Sequence, residues 1–188
     1  MQTALVVIDV QESFRQQPQW ASISNPAIAD DVARLVEGAR AAGDDVIWVL
    51  HAEPGSGGVF DPASGHVRML EGLEPQAGEP VLTKHAHNAF TTTDLQQRLT
   101  RAGTRRLRLA GIRTEQCVET TARLASDLGY EVEVVLDATA THPLALHDGS
   151  GELSADEVIA RTAAALSGRF ATITSIAEVL GEARAALR

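Results

Sequence analysis

Residues 4–10 read Ala-Leu-Val-Val-Ile-Asp-Val, an apolar run rich in β-branched residues that ends at Asp9. Such a run is typical of a strand buried on both faces, as in a parallel sheet. Five more segments of strand length follow along the chain. They cover residues 46–50, 80–83, 106–111, 131–136 and 170–174.

Helical patterns separate these strands. Asn25-Pro26 is typical of a helix start, the apolar residues that follow have helical spacing, and Gly43 is typical of a helix end. Further helices are predicted over 93–101 and 115–128, and two capping boxes predict helices that begin at Ser154 and Ser175. The alternation predicts an α/β fold with three layers, α/β/α, around a Rossmann-like parallel sheet of six strands. With no repeat or linker, we expect a single domain over residues 1–188.

Composition excludes several classes of protein. The chain has 188 residues, 44% of them apolar, and a formal charge of −9, so nucleic acid and anionic membranes are not expected partners. No apolar run approaches the roughly 20 residues that span a bilayer, and the N-terminal run lacks the basic segment of a signal peptide. A single cysteine excludes an intramolecular disulfide. We therefore expect a cytoplasmic protein with a small-molecule substrate.

Three reactive side chains follow three predicted strands. Asp9 ends the first strand, Lys84 the third, and Cys117 comes shortly after the fourth. The carboxyl ends of parallel strands share one edge of the sheet, where open α/β sheets bind ligands. A carboxylate, an ammonium and a thiol can act there as base, electrostatic activator and nucleophile. Taken singly, each residue also has an ordinary interpretation, as a turn residue, a surface lysine and a small buried side chain.

Cys117 is expected in the first turn of a helix that Thr114 caps. Free N–H groups at a helix start stabilise a thiolate, and the same amides can bind an oxyanion.

Three segments resemble the signature blocks of the isochorismatase-like cysteine hydrolases. They are Ala4-Leu-Val-Val-Ile-Asp-Val-Gln-x-x-Phe14, Lys84-x-x-x-Asn-Ala-Phe90 and Gly111-Ile-Arg-Thr-Glu-Gln-Cys117. The family includes nicotinamidases, N-carbamoylsarcosine amidases, ureidoacrylate amidases and isochorismatases. The resemblance implies a sheet order of 3-2-1-4-5-6 and a homo-oligomer, either a dimer or a tetramer. It also implies that Asp9, Lys84 and Cys117 form a catalytic triad.

The resemblance further implies the surroundings of the triad. Ile112-Arg113 matches the position of a cis peptide, which would aim the backbone amides of Arg113 and Cys117 at an oxyanion. The expected pocket residues are Gln11, Phe14, Phe60, Asn88, Phe90 and Ile112. Substrate specificity is expected in the two segments without clear periodicity, 52–79 and 138–153.

No cofactor and no metal are expected. Metal-binding relatives carry an Asp-x-His pair after the second strand, where this chain reads Leu50-His51-Ala52-Glu53. The six histidines are scattered singly, and a site built from His51 and His66 is the alternative left open.

Three functions remain in competition. Cys117 favours a cysteine hydrolase that cleaves a small amide or carbamoyl compound through a thioester. The alternatives are a vinyl-ether hydrolase that uses Asp9 as acid and a non-enzymatic binding module. A dinucleotide-binding module is disfavoured because no G-x-G-x-x-G follows the first strand. Arg108, inside a strand predicted to be buried, has no explanation at this level.

Overall fold

The computed structural model describes residues 1–182; residues 183–188 of the predicted domain lie outside the described part. Its strands are β1 (Thr3–Ile8), β2 (Asp45–His51), β3 (Val81–Lys84), β4 (Arg106–Ile112), β5 (Glu131–Ala140), β6 (Leu144–Ala145), β7 (Glu152–Leu153) and β8 (Thr172–Thr174). Its α-helices are α1 (Glu12–Arg15), α2 (Ile28–Ala42), α3 (Leu95–Ala102), α4 (Glu119–Asp127), α5 (Ala155–Leu166) and α6 (Ile176–Val179). Short 3-10 turns occur at Pro18–Ser22 and Pro62–Ser64.

Six strands form one parallel sheet in the order β3-β2-β1-β4-β5-β8. Counted within the sheet, β8 is the sixth strand, so the predicted order 3-2-1-4-5-6 is confirmed. Strands β6 and β7 form a separate antiparallel ribbon that was not predicted. No helix within residues 1–182 has both the length and the apolar content to cross a membrane.

The core has two layers because side chains of a strand alternate between the faces of the sheet. Ala4, Val6 and Ile8 belong to the layer beneath α3, α4 and α5, and Leu5 and Val7 belong to the layer beneath α2 and α6. All five are at most 1% exposed. The continuous apolar run therefore contributes side chains to both core layers. Helices cover both layers, which gives the three-layer α/β/α architecture that was predicted.

Several predicted boundaries are corrected. Helix α2 begins at Ile28, because Asn25 forms a local turn in which its side chain accepts from the Ala27 amide at 3.0 Å. Strand β5 extends to Ala140, because a bulge shifts its register and lets Thr139 pair with Gly111. The second irregular segment consequently begins only after β5. Both predicted capping boxes are present.

Arg108 is explained by ion pairs across the sheet. Its guanidinium donates to the carboxylates of Glu133 and Asp44, at 2.8 Å each, and its side chain is 17% exposed. Glu133 lies beside Arg108 on β5, and Asp44 precedes β2. A charge can occupy this strand because both partners approach it at the amino edge of the sheet.

Candidate active site

Asp9 directly follows β1 at the centre of the sheet. Its N–H donates to the Val49 carbonyl at 2.8 Å, so the chain stays paired with β2 for one residue beyond the strand. Its φ of 55° is left-handed, a conformation that Asp adopts more readily than most residues. The side chain is fully buried, and the central strand thus ends in a carboxylate without solvent contact.

Gly111 permits the close approach of β4 to β1 at this point. A Cβ atom on Gly111 would lie 1.9 Å from the Ile8 carbonyl oxygen, and its φ is +136°. Only glycine fits between the strands in this conformation. The residue therefore sets the distance between Asp9 and the segment that carries Cys117.

Lys84 ends β3, where it pairs in register with His51 on β2. Since β3 lies two strands from β1, the lysine must span about 10 Å of sheet. Its Nζ reaches to 2.7 Å from Asp9 Oδ2, and neither side chain is exposed. Nζ also donates to the Ala86 carbonyl at 3.0 Å. Neither Asp9 oxygen has a hydrogen bond of good angular geometry within residues 1–182, so the carboxylate retains accepting capacity despite the close ion pair.

Cys117 lies in a π-helical turn, Thr114–Val118, that leads into α4. The Arg113 carbonyl accepts from the amides of Gln116 and Val118, at 3.2 Å each. Within the described residues, the Cys117 amide does not make the bond to the Arg113 carbonyl that an α-helix would have. Single π turns inside helices occur frequently at functional sites. Lys84 Nζ lies 3.4 Å from Cys117 Sγ, so the structure brings Asp9, Lys84 and Cys117 together.

The predicted cap of this helix is corrected. Arg113 precedes the first turn, and the Thr114 hydroxyl instead donates to Thr139 Oγ1 on β5 at 2.9 Å. The Ile112–Arg113 peptide bond is cis, as the resemblance implied.

The surroundings of Cys117 disfavour its thiolate form. Burial and the nearby Asp9 carboxylate raise the pKa of Cys117 to about 12, although Lys84 opposes this effect. Burial likewise raises the pKa of Asp9 above 3.8, against the lowering effect of Lys84. The expected thiolate-stabilising helix start is therefore outweighed by desolvation, because Cys117 is only 6% exposed.

Three of the predicted pocket residues lie beside the carboxyl ends of β1 and β2. The rings of Phe14 and Phe60 pack edge to face with their centroids 5.0 Å apart. The Phe60 ring also packs against the His51 ring, with 5.6 Å between centroids. Gln11 is fully buried; both its amide hydrogens bond to protein groups, Ser13 Oγ at 2.9 Å and the His51 carbonyl at 3.0 Å. Gln11 therefore has no free N–H for a substrate, which changes its interpretation from an orienting to a bracing residue.

The other three lie elsewhere in the site's surroundings. Phe90 is 7% exposed and stacks on Tyr130, which precedes β5 at the opposite edge of the sheet. Phe90 is thus part of the core beneath α3 and α4. The Asn88 side chain accepts from the amides of Phe90 and Thr91 at 2.9 and 2.8 Å, so it shapes the turn after β3. Ile112 is fully buried in the other core layer.

Sequence reasoning missed two contacts between titratable side chains. His51 Nδ1 lies 3.4 Å from Lys84 Nζ, a contact that the register of β2 and β3 would have suggested. The side chains of Arg113 and Glu115 form an ion pair at 2.6 Å and are 13% and 8% exposed. No signal in the sequence identifies this pair.

The described residues hold no group of metal ligands, and a large surface cavity lies away from the three side chains. Within residues 1–182, no three His, Cys, Asp or Glu side chains are grouped closely enough to hold a metal ion. A surface cavity of about 660 Å³ is lined by residues of β5 and β8, and Asp137 and Glu178 belong to its lining. Asp9, Lys84 and Cys117 do not line it, so the chemistry and the large cavity are separate.

Comparison with known proteins identifies relatives of the chain. The family model for the isochorismatase domain matches residues 3–177. The uncharacterized isochorismatase family protein YddQ of Bacillus subtilis is 33% identical over 174 residues, which cover 92% of this chain and 96% of YddQ. Ureidoacrylate amidohydrolase RutB of Klebsiella pneumoniae is 30% identical over 173 residues, 73% of each chain.

A solved structure shows the same fold. The cysteine hydrolase from Pseudomonas syringae pv. phaseolicola superposes with a TM-score of 0.86 at 26% identity, covering 98% of this chain and 93% of that one. The family match spans all six strands of the sheet and the segment that carries Cys117. The chain therefore belongs to the isochorismatase family of hydrolases.

Proposed function

We propose that the protein cleaves the C–N bond of a small amide or carbamoyl compound through a thioester on Cys117. The observation that carries the proposal is the position of Lys84 Nζ, 2.7 Å from Asp9 and 3.4 Å from Cys117 Sγ in a buried site. These three groups supply a base, an electrostatic activator and a nucleophile.

In the resting enzyme, the thiol of Cys117 carries its proton, because its pKa is raised to about 12. Asp9 accepts that proton as Sγ attacks the carbonyl carbon, so the thiolate forms only during the attack. The raised pKa of Asp9 makes its carboxylate a stronger base than an exposed aspartate. Asp9 and Cys117 thus share one proton.

The negative charge that develops on the substrate oxygen is assigned to the backbone amides of Arg113 and Cys117. The π turn supports this role, because the Cys117 amide does not donate to the Arg113 carbonyl as it would in an α-helix. An amide that is already oriented stabilises an oxyanion strongly in a site without water.

Collapse of the first intermediate breaks the C–N bond, and the protonated Asp9 gives its proton to the leaving amine. A water molecule then transfers a proton to Asp9 and attacks the thioester. The C–S bond breaks, and Asp9 returns the proton to the sulfur. Lys84 remains charged throughout and stabilises the anionic forms of Asp9 and Cys117.

The proposed substrate is small, with a planar or apolar part beside the carbonyl group. Phe14 and Phe60 form an aromatic corner next to the carboxyl end of β1. The relative RutB, a ureidoacrylate amidohydrolase by name, supports cleavage of a C–N bond. Neither observation selects one compound.

A vinyl-ether hydrolase is the second candidate, and the raised pKa of Asp9 favours it. A buried carboxyl that retains its proton is a suitable general acid for such a reaction. In that case the buried thiol of Cys117 would be a bystander.

The deciding experiment combines a substrate panel with trapping. Small amides and carbamoyl compounds, including nicotinamide, are assayed by ammonia release, and isochorismate is assayed as the vinyl ether. We expect turnover of at least one amide, and mass spectrometry of acid-quenched enzyme should detect an acyl adduct on the peptide that contains Cys117. Hydrolysis of isochorismate by Cys117→Ala at the wild-type rate, without turnover of any amide, would favour the second candidate.

A further inference from the structure

The imidazole of His51 lies beside the Lys84 ammonium. Its Nδ1 lies 3.4 Å from Lys84 Nζ, and its Nε2 lies 3.3 Å from Glu53 Oε1. The imidazole therefore stands between the buried ammonium and a carboxylate that is 53% exposed.

These two contacts select one tautomer of His51. An ammonium has only hydrogens to offer, so Nδ1 must accept, and a carboxylate only accepts, so Nε2 must carry the hydrogen. The neutral form with hydrogen on Nε2 satisfies both neighbours. The protonated form would direct a second positive charge at Lys84.

The backbone and the ring of His51 are both held in place. The side chain of Gln11 accepts from the His51 amide at 2.7 Å and donates to the His51 carbonyl at 3.0 Å. Phe60 contacts the ring edge to face. A side chain held in this way has little conformational entropy left to lose when it forms a hydrogen bond.

We propose that His51 is a positioning residue for Lys84, whose neutral imidazole accepts from the ammonium and holds it between Asp9 and Cys117. The inference rests on the proposed function for its catalytic consequence, but the hydrogen bond itself does not depend on that function.

Lys84 needs such support because its side chain is long and spans two strands. Nζ has three hydrogens and four acceptors within 3.4 Å, namely Asp9 Oδ2, the Ala86 carbonyl, Cys117 Sγ and His51 Nδ1. The carbonyl and the imidazole do not react, and they restrict where the ammonium can move. Without His51, Lys84 would lose one of these two unreactive acceptors.

The arrangement predicts a pH dependence. The charged groups that face His51 are Lys84 from β3, Asp9 from the end of β1 and Glu53 from the following loop, and Cys117 lies beyond Lys84. Burial and Lys84 lower the pKa of His51 below 6.5, against the opposite effects of Asp9 and Glu53. Protonation of His51 at low pH would displace the ammonium, so kcat should fall on the acid side.

Two substitutions separate the hydrogen bond from the shape of the side chain. In His51→Leu no acceptor faces Lys84, and we expect kcat to fall by about 10–100-fold, the usual effect of removing a residue that orients a functional group, with a smaller change in KM. In His51→Asn the amide oxygen can accept where Nδ1 did, and we expect recovery of most of that loss together with loss of the acid limb. His87→Leu, at an exposed histidine in the loop after β3, is the matched control and should keep the wild-type profile.

A spectroscopic measurement tests the contact without any substrate. Nitrogen NMR of histidine-labelled protein, with His51 assigned by its absence in His51→Asn, should show an unprotonated Nδ1 and a protonated Nε2 at pH 7.5. In Lys84→Met the pKa of His51 should rise, because a positive neighbour has been removed.

The outcomes separate the positioning role of His51 from the proposed amidase activity. A hydrogen on Nδ1, or a His51 pKa unchanged by Lys84→Met, would overturn the positioning role whatever the substrate is. Equal losses of kcat in folded His51→Leu and His51→Asn would also overturn it. If no amide is turned over while the NMR results hold, the amidase proposal fails and the contact between His51 and Lys84 stands.

Discussion

Lys84→Met gives the sharpest test of the buried charge pair, because it removes the ammonium while nearly preserving the length of the side chain. Asp9 and Lys84 have no exposed surface, and their charged atoms lie 2.7 Å apart. Removal of one partner of a buried pair typically costs about 3–5 kcal/mol, since the remaining charge is left without compensation. For a protein of this size we expect a fall in Tm of about 6–20 °C, at 2–4 °C for each kcal/mol.

The pH dependence of this loss follows from the pKa of Asp9. Burial raises that pKa above 3.8, and Lys84 opposes the increase, so Lys84→Met should raise it further. A carboxyl whose pKa is higher in the folded state costs stability only where it is ionised. The deficit of Lys84→Met should therefore be smallest at low pH, where Asp9 is protonated in both folded proteins, grow as the pH rises above the folded pKa of Asp9 in the wild type, and level off above the higher folded pKa of Asp9 in the variant.

A double-mutant cycle provides the control. Asp9→Asn removes the charge that Lys84→Met leaves unpaired, so the double variant should be more stable than Lys84→Met by at least about 1 kcal/mol. Urea unfolding at pH 5 and pH 8, followed by the fluorescence of Trp20 and Trp48, measures all four proteins. Equal deficits of Lys84→Met at both pH values, or additive effects in the double variant, would refute the buried ion pair as described.

Four further predictions use other parts of the structure. Cys117→Ala should abolish amide turnover and change Tm by only a few degrees, because the deleted sulfur leaves a small cavity; full turnover by this variant would exclude a thioester. Gly111→Ala should lower stability by several kcal/mol, since its Cβ would lie 1.9 Å from the Ile8 carbonyl oxygen, and a wild-type urea midpoint would contradict that contact. Dialysis against a chelator should leave amide turnover unchanged, and recovery of a lost rate by added zinc or manganese would reverse that expectation. The purified protein should elute as a dimer or tetramer, and elution at 20.0 kDa at micromolar concentration would show a monomer.

The sequence predicted the sheet and the grouping of the reactive side chains for one physical reason. Parallel strands place their carboxyl ends at the same edge, so Asp9 and Lys84 could be assigned to one site from strand ends alone. The reach of Lys84 across β2 followed from strand spacing and the length of a lysine. These features depend on the spacing of apolar residues along the chain and on the dimensions of strands and side chains, so one sequence is enough to predict them.

Features that depend on distant partners were not predicted. Arg108 is explained only by Asp44 and Glu133, which the topology brings beside it. The π turn at Cys117 differs from an α-helix by a shift of one residue in the hydrogen bonds, and no residue type marks it. Phe90 was expected in the pocket, but the direction of its ring is set by Tyr130, forty residues later.

The side chain of Gln11 has a consequence for how this enzyme could be altered. By accepting from and donating to the backbone of His51, the last residue of β2, it continues the pairing with β2 beyond the end of β1. The 28 residues from Ala52 to Glu79 thus leave the sheet from an anchored point. Residues 66–70 of this segment bond back to the chain that follows β1, whereas residues 54–58 are exposed. The exposed stretch is therefore the part whose length and composition could be exchanged to graft a new substrate preference.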